Sequence, residues 1–167
     1  KFTHQSSPPG EPGNLPGERV LELFKDRHGD VWIGTDNGLA RVQPRSRRFF
    51  QYTYRTGDPD NPLSLSHPVV TAVFQDRSGV IWIGTEGGGV NYFSPAVRVF
   101  QHYSTLSGRE RGLSDQMTWA FARSQDGDLW VATSRGISRL PAGGQDFIYY
   151  GADSGPVDEP PSDEIWS

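Results

Sequence analysis

The sequence predicts an all-β fold: a β-propeller fragment of three complete four-stranded antiparallel blades plus strand remnants of the two flanking blades. The main observation is a phrase Gly-x-x-Trp, followed by an aliphatic residue, a small residue and Thr, which occurs at residues 29–35, 79–85 and 127–133. Its tryptophans, Trp32, Trp82 and Trp130, are 50 and 48 residues apart (82 − 32 and 130 − 82). Short apolar runs that repeat at this period are typical of propeller blades.

The composition of the 167-residue chain agrees with this fold and excludes several functions. Its 20 Gly and 13 Pro indicate many turns rather than long helices. The net charge of −4 is the opposite of the basic footprint that nucleic-acid binding requires, so we expect no nucleic-acid partner. The sequence has no Cys, and no run approaches the roughly 18 apolar residues of a membrane helix.

Each repeat begins with an apolar strand and a tight turn. The strands are predicted at residues 20–24, 69–74 and 117–121, and their apolar residues on both faces suit strands that are buried on both sides. The turn starts with Asp26 or Asp76 in the first two repeats and with Ser124 in the third. It ends at a glycine, which tolerates positive φ: Gly29, Gly79 and Gly127.

The second strand carries the Trp and is followed by a polar turn. Gly34 and Gly84, with Ala132 in the third repeat, are small residues where we expect a neighbouring sheet to approach closely. A third, aliphatic strand is predicted at residues 39–42, 90–93 and 137–140. An aromatic fourth strand completes each unit at residues 49–54, 99–103 and 147–150.

These elements make residues 1–167 part of one propeller domain, with blades at approximately 18–54, 67–103 and 115–150. Residues 1–4 look like a fourth strand and residues 160–167 like the approach to a first strand, so both are assigned to neighbouring blades. Three blades do not close a ring, because propellers typically have about 4 to 8. We therefore expect either the remaining blades of the same receptor or self-association to complete the ring.

With the repeats aligned, the chain resembles the two-component regulator propeller repeat family from residue 2 to residue 166. The resemblance rests on the pattern Asp-x-x-Gly-x-x-Trp-x-Gly-Thr, from which the third repeat departs at Ser124 and Ala132. It implies a periplasmic sensor domain of a bacterial hybrid histidine kinase or diguanylate cyclase receptor, acting in signal transduction. Membrane contact is then expected only through a transmembrane segment that is missing here. The implied ligand is a small molecule, and in several such receptors an oligosaccharide.

Candidate ligand-binding residues lie on two sets of loops that are expected to emerge at one face. The turns between second and third strands supply Asp36, Asn37, Glu86, Ser134 and Arg135. The linkers that lead into the blades supply Asp58, Asp60, Asn61, His67, Arg109, Glu110 and Arg111. Carboxylates and amides suit sugar hydroxyls, and an aromatic side chain suits the apolar ring face. A purely structural role for Asp36 and Asn37 as turn residues stays open beside this interpretation.

The tryptophans divide between packing and binding. Trp32, Trp82 and Trp130 recur at identical positions, which favours packing between blades over contact with a ligand. Trp119 has no aromatic counterpart in the other repeats, so it is a candidate ligand contact on a channel-lining strand, with burial in the core as the favoured alternative. One carboxylate per tight turn is too few for a metal site, and no cofactor is expected.

An enzyme is the rival functional class. A propeller lyase needs a His and a Glu on one face as acid and base, whereas His4, His28, His67 and His102 are scattered along the sequence. A glycosidase of the sialidase type needs an arginine cluster and a Tyr nucleophile, and neither stands out. A protein–protein interaction scaffold is a third class. We predict a non-catalytic ligand-binding sensor and assign no catalytic residue.

Overall fold

The computed structural model describes residues 14–46, 48–55, 64–94, 100–104 and 112–151. In these ranges the regular elements are β-strands, and no helix occurs there. The first repeat contains β1 (Val20–Lys25), β2 (Val31–Thr35), β3 (Gly38–Gln43) and β4 (Arg48–Tyr52). The second contains β5 (Val70–Gln75), β6 (Ile81–Thr85), β7 (Val90–Phe93) and β8 (Phe100–Tyr103). The third contains β9 (Thr118–Arg123), β10 (Leu129–Thr133), β11 (Gly136–Leu140) and β12 (Ile148–Tyr150).

Each repeat forms its own four-stranded antiparallel sheet, in which neighbouring strands follow each other in sequence. This confirms the all-β class and the four-stranded blade, and the strand bounds differ from the predicted ones by at most two residues. The predicted strand remnants at residues 1–4 and 160–167 lie outside the described residues.

The sheets stack so that the Trp-bearing face of one packs on the opposite face of the next. Trp32 and Leu39 of the first sheet form one core with Ile83, Phe93 and Phe100 of the second. A second core joins Trp82 and Val90 to residues of the third sheet, namely Leu129, Val131, Leu140 and Phe147. Burial of these large apolar side chains is the main force that holds adjacent blades together.

The small residue after the Trp brings the sheets into close contact, as predicted. A methyl group on Gly34 would lie 2.9 Å from Cγ1 of Val70, and one on Gly84 would lie 2.6 Å from Oγ1 of Thr118. Val70 and Thr118 begin the first strands of the second and third sheets. Each glycine therefore leaves the space into which the next blade fits.

The tight turns between first and second strands close as the sequence predicts. The amide of each turn glycine donates to the carbonyl of the first turn residue, at 3.0 Å for Gly29 and 3.1 Å for Gly79 and Gly127. All three glycines have positive φ, between 85° and 99°. Adjacent turns are also joined, because Arg27 donates to the carbonyl of Arg77 at 2.8 Å and Arg77 donates to that of Gln125 at 3.3 Å.

The first strands are not all buried on both sides, and this corrects the sequence prediction. Strand β5 is mostly buried, whereas β1 exposes Leu21 and Leu23 (38% and 65%) and β9 exposes Trp119 (50%). The reason is position, since among the described sheets only the second has a neighbour against each of its faces. A strand of the same composition is therefore core in one repeat and surface in another.

Candidate ligand-binding face

One end of the three sheets carries the turns between second and third strands together with the segments that lead directly into the first strands. Backbone amides of the turns donate to the residue just before each first strand: Asp36 to Arg19, Glu86 to Val69 and Ser134 to Met117, each at 3.1 Å. Each turn between second and third strands is thus tied to the segment that leads into its own sheet. We define the loop face as these turns (36–37, 86–88, 134–135) with the lead-in segments (14–19, 64–69, 112–117).

The turn of the first repeat is braced by its own polar side chains. Oδ1 of Asp36 accepts a hydrogen bond from the amide of Arg19 at 3.2 Å. Nδ2 of Asn37 donates to the carbonyl of Pro16 at 3.0 Å, although Asn37 is exposed. Both residues therefore hold the lead-in segment against the turn. This supports the structural role, and it leaves the exposed Asn37 amide on the face where a ligand would bind.

The second repeat places His67 next to the turn that contains Glu86. Nδ1 of His67 accepts a hydrogen bond from the amide of Val69 at 3.2 Å, and a methyl group on Gly87 would lie 3.2 Å from its Nε2. Glu86 is exposed at the start of the same turn. The fold thus brings together an imidazole and a carboxylate-bearing turn that are 19 residues apart in sequence (86 − 67).

The third repeat brings Trp119 and Arg135 to the loop face. The indole Nε1 of Trp119 donates to Oγ of Ser134 at 3.1 Å, in the turn that also contains the exposed Arg135. The carbonyl of Arg135 accepts a hydrogen bond from the hydroxyl of Tyr149 at 2.7 Å. Core burial was the favoured prediction for Trp119 and it is wrong, because half of this side chain is accessible to solvent.

Six of the linker candidates lie outside the described residues: Asp58, Asp60, Asn61, Arg109, Glu110 and Arg111. Their placement on the loop face stays a prediction.

The sequence analysis missed a pair of serines that fix the lead-in segments. Ser66 donates its amide to Oδ1 of the buried Asn91 at 3.0 Å and accepts from its Nδ2 at 2.8 Å. Ser114 makes equivalent bonds with the buried Ser138, both at 2.9 Å. A signal was available, since a leucine precedes each serine and Leu15, Leu65 and Leu113 have the spacing of the tryptophans (65 − 15 = 50, 113 − 65 = 48).

Glu22 is a second residue that sequence reasoning did not single out. It lies on β1 facing the neighbouring first strand β5. Burial raises the pKa of its carboxyl above the ordinary value, and the backbone amide of Val73 acts in the opposite direction more weakly. The space between the first strands therefore carries an acidic group whose pKa lies above its ordinary value.

The part of the chain that the structure describes contains no cluster of metal-binding side chains. No group of three or more His, Asp or Glu side chains is placed there to hold an ion. Within the same ranges no apolar helix reaches membrane-spanning length.

Comparison with known proteins identifies the repeat. A family model described as "Two component regulator propeller" matches residues 14–37 and 64–87, which are the lead-in, first strand, tight turn and Trp strand of the first two repeats. These two stretches of the chain match two-component regulator propeller repeats. The extracellular domain of a protein described as a hybrid two component system of B. thetaiotaomicron has a TM-score of 0.74 and 26% identity, over 82% of this chain and 19% of that chain.

Two further proteins resemble parts of the chain. Histidine kinase P4 of Formosa agariphila is 40% identical over 45 residues, which is 27% of this chain and 3% of that protein. Virginiamycin B lyase from Staphylococcus aureus has a TM-score of 0.58 at 14% identity, over 81% of this chain and 42% of that chain, a likeness of fold alone. The chain thus spans a small share of the signalling proteins that it resembles.

Proposed function

We propose that this regulator propeller segment is part of a ligand-binding sensor in a bacterial transmembrane signalling receptor. Its loop face binds a small polar ligand, with an oligosaccharide as the preferred class, and it works outside the cytoplasm, in the periplasm. The observation that carries the proposal is the convergence of exposed polar side chains and one exposed indole at a single end of three stacked sheets. The relatives among extracellular and histidine kinase proteins support the signalling context.

The chemistry of the loop face suits a neutral, hydroxyl-rich ligand. Asn37 offers an amide, Glu86 a carboxylate and Arg135 a guanidinium, and all three are exposed. Together they can donate to and accept from ring hydroxyls. Trp119 adds an apolar surface of the kind that packs on a sugar ring. Because both signs of charge are present, the face does not demand a charged ligand.

Stiff blades determine how such a sensor would signal. Adjacent sheets share continuous apolar cores and close glycine contacts, so bending a blade would break well-packed contacts. Ligand binding is therefore read out through changed packing of the propeller against other domains or another protomer, rather than through deformation of a blade.

A lyase-like enzyme remains a second candidate because of one observation. His67 lies against the turn that contains Glu86, and an acid–base reaction needs such a pair on one face. Under this alternative, His67→Ala abolishes turnover of a bound substrate while binding persists. Under the sensor proposal no turnover accompanies binding, and His67→Ala changes affinity alone.

The sensor proposal is tested by binding to the chain itself. We would titrate it by calorimetry with short glucan, xylan and mannan oligosaccharides, amino acids and dicarboxylates. We expect at least one class to bind, and Arg135→Ala to weaken that binding by about tenfold, the effect of one lost polar contact of about 1.4 kcal/mol.

The matched control is Arg45→Ala. Arg45 is an exposed arginine in the turn after β3, at the opposite end of the first sheet, so its removal should leave affinity unchanged. Absence of binding by every class, or equal losses in the two variants, would refute the loop face as the binding surface.

A further inference from the structure

Each first strand contains a β-bulge at the same place. In the first sheet Val20 pairs with Thr35 and Glu22 pairs with Gly34, so Leu21 is an extra residue without a partner in the register. The second and third sheets have the same register shift, between Val70 and Ala72 and between Thr118 and Ala120. The extra residues are Leu21, Thr71 and Trp119. A bulge that recurs in three repeats is a built feature, and bulges commonly re-aim a side chain beside a functional site.

The bulges lie at the loop-face end of the strands. The threonines opposite them, Thr35, Thr85 and Thr133, are the last residues before the loop-face turns. The first strands are also neighbours of one another, β1 beside β5 and β5 beside β9. The second bulge contacts the third sheet directly, since Oγ1 of Thr71 donates to the carbonyl of Thr118 at 2.5 Å. The three bulge residues thus form a row along the inner rim of the loop face.

The surroundings of the bulges are rigid while the bulge side chains differ. Next to the third bulge, Oγ1 of Thr118 accepts from the amide of Thr85 at 2.7 Å and donates to its carbonyl at 3.1 Å. The glycine contacts described above fix the same region in the first two repeats. The variable positions are aliphatic, hydroxyl and indole in turn. A fixed frame with exchangeable side chains is the arrangement expected where ligand preference is set.

Trp119 is the largest of the three bulge side chains. Half of it is exposed, and the bond from Nε1 to Ser134 fixes the plane of the ring. A preoriented ring loses little conformational freedom when a ligand packs on it. Leu21, 38% exposed on the first bulge, adds an aliphatic surface to the same rim.

We propose that the bulge residues Leu21, Thr71 and Trp119 are the ligand-selecting positions of the loop face, and that Trp119 is the platform for the apolar face of a sugar ring. This inference rests on the proposed function and narrows its ligand to carbohydrate. It assigns selectivity to the inner strands, whereas the polar turn residues supply hydrogen bonds that many ligands could use.

The test is calorimetric titration of the chain with the same glucan, xylan and mannan oligosaccharides. We expect Trp119→Ala to lower affinity by about tenfold or more, as for removal of an aromatic side chain that a ligand covers. Trp119→Phe keeps a ring and loses the bond to Ser134, so its affinity should lie between those of the wild type and Trp119→Ala. Leu21→Thr should change the ranking of the oligosaccharides.

Phe50→Ala is the matched control, because Phe50 is a similarly exposed aromatic (37%) on the outer strand β4. It should leave affinity unchanged, and thermal denaturation of each variant separates lost binding from lost folding. Should Trp119→Ala fail to fold, Trp119→Phe and Leu21→Thr still decide the matter.

The outcomes separate the two proposals. If the chain binds amino acids or dicarboxylates and no oligosaccharide, the sensor proposal stands and the bulge inference is wrong. If it binds an oligosaccharide that Trp119→Ala and Leu21→Thr bind equally well, the inference is also wrong. If it binds none of the ligands, both proposals fail together.

Discussion

The indole Nε1 of Trp32 donates a hydrogen bond to Oδ2 of Asp26 at 2.9 Å, inside the core of the first blade. Trp82 and Asp76 repeat this bond at 3.0 Å in the second blade. The other oxygen, Oδ1 of Asp26, accepts from the amides of His28 and Asp30, both at 2.9 Å. One carboxylate therefore fixes the tight turn and the Trp that packs between blades.

The third repeat has Ser124 at the position of Asp26, so the contribution of the carboxylate can be tested by exchanging the two residue types. Ser124 accepts a hydrogen bond from the amide of Asp128 at 3.1 Å, and it offers one neutral oxygen where Asp26 offers two carboxylate oxygens, one of them to Trp32. Asp26→Ser should lower the free energy of unfolding by about 2 kcal/mol, because buried donors lose a charged acceptor. Ser124→Asp should raise it by about 1 kcal/mol. Urea denaturation at neutral pH measures both changes, and a Ser124→Asp variant no more stable than the wild type would contradict the argument.

Because of the Asp76 carboxylate in the second tight turn, the free energy of unfolding should vary with pH in the acid range. Burial acts to raise the pKa of Asp76, but hydrogen bonds from Ser78, Trp82 and Val80 outweigh it and hold the pKa below the ordinary value of 3.8. The folded state thus binds the proton less readily than the unfolded state. The stabilisation is complete above the unfolded pKa and is lost as pH falls through the folded pKa, below about pH 4.

Asp76→Asn should therefore be less stable than the wild type at neutral pH, and the difference should shrink as the pH falls below about 4. Urea midpoints measured across this range for both proteins check the prediction. A constant difference at all pH values would mean that the carboxylate charge contributes nothing to the turn.

Adding a single methyl group at the glycine two positions after the Trp should destabilise the fold. Gly84→Ala places a Cβ 2.6 Å from Oγ1 of Thr118, which is itself held by two hydrogen bonds to Thr85. Because neither partner can move freely, we expect destabilisation of about 1–3 kcal/mol. The control is Ala132→Gly at the equivalent site of the third repeat, which should cost about 1 kcal/mol or less. Thermal melting distinguishes the two, and similar losses would show that blade spacing is adjustable.

Much of the fold could be predicted because the signals are local and occur three times. The turn at Asp26, the Trp strand and the small residue at Gly34 each have a short-range cause, and their repetition removes ambiguity. The exposure of Trp119 could not be predicted, since it depends on a bulge and on which sheet face has a neighbour. The bulge itself has no signature in the apolar run, because only the pairing register reveals the extra residue.

The third-strand residue that packs on the Trp changes between repeats together with the residue two positions before the Trp. In the first repeat Arg41 donates to Oδ2 of Asp30 at 2.8 and 2.6 Å, and its guanidinium lies 5.2 Å from the ring centre of Trp32. In the third repeat Arg139, Asp128 and Trp130 make the same arrangement. The second repeat replaces the ion pair with Val80 and Tyr92, and Tyr92 lies 5.3 Å from Trp82.

This correlation predicts that the Asp–Arg pair of the first repeat can be replaced by the Val–Tyr pair of the second only when both residues are changed together. Arg41→Tyr alone leaves the buried Asp30 carboxylate without its guanidinium and should cost about 3 kcal/mol. Asp30→Val alone leaves a half-buried cation and should cost less. The double variant Asp30→Val with Arg41→Tyr recreates the second repeat and should unfold within about 1 kcal/mol of the wild type, because well-packed apolar replacements often equal a buried ion pair. A double-mutant cycle by urea denaturation measures the interaction free energy between the two substitutions. Additive losses of stability would show that the Val–Tyr pair cannot replace the Asp–Arg pair in the first repeat.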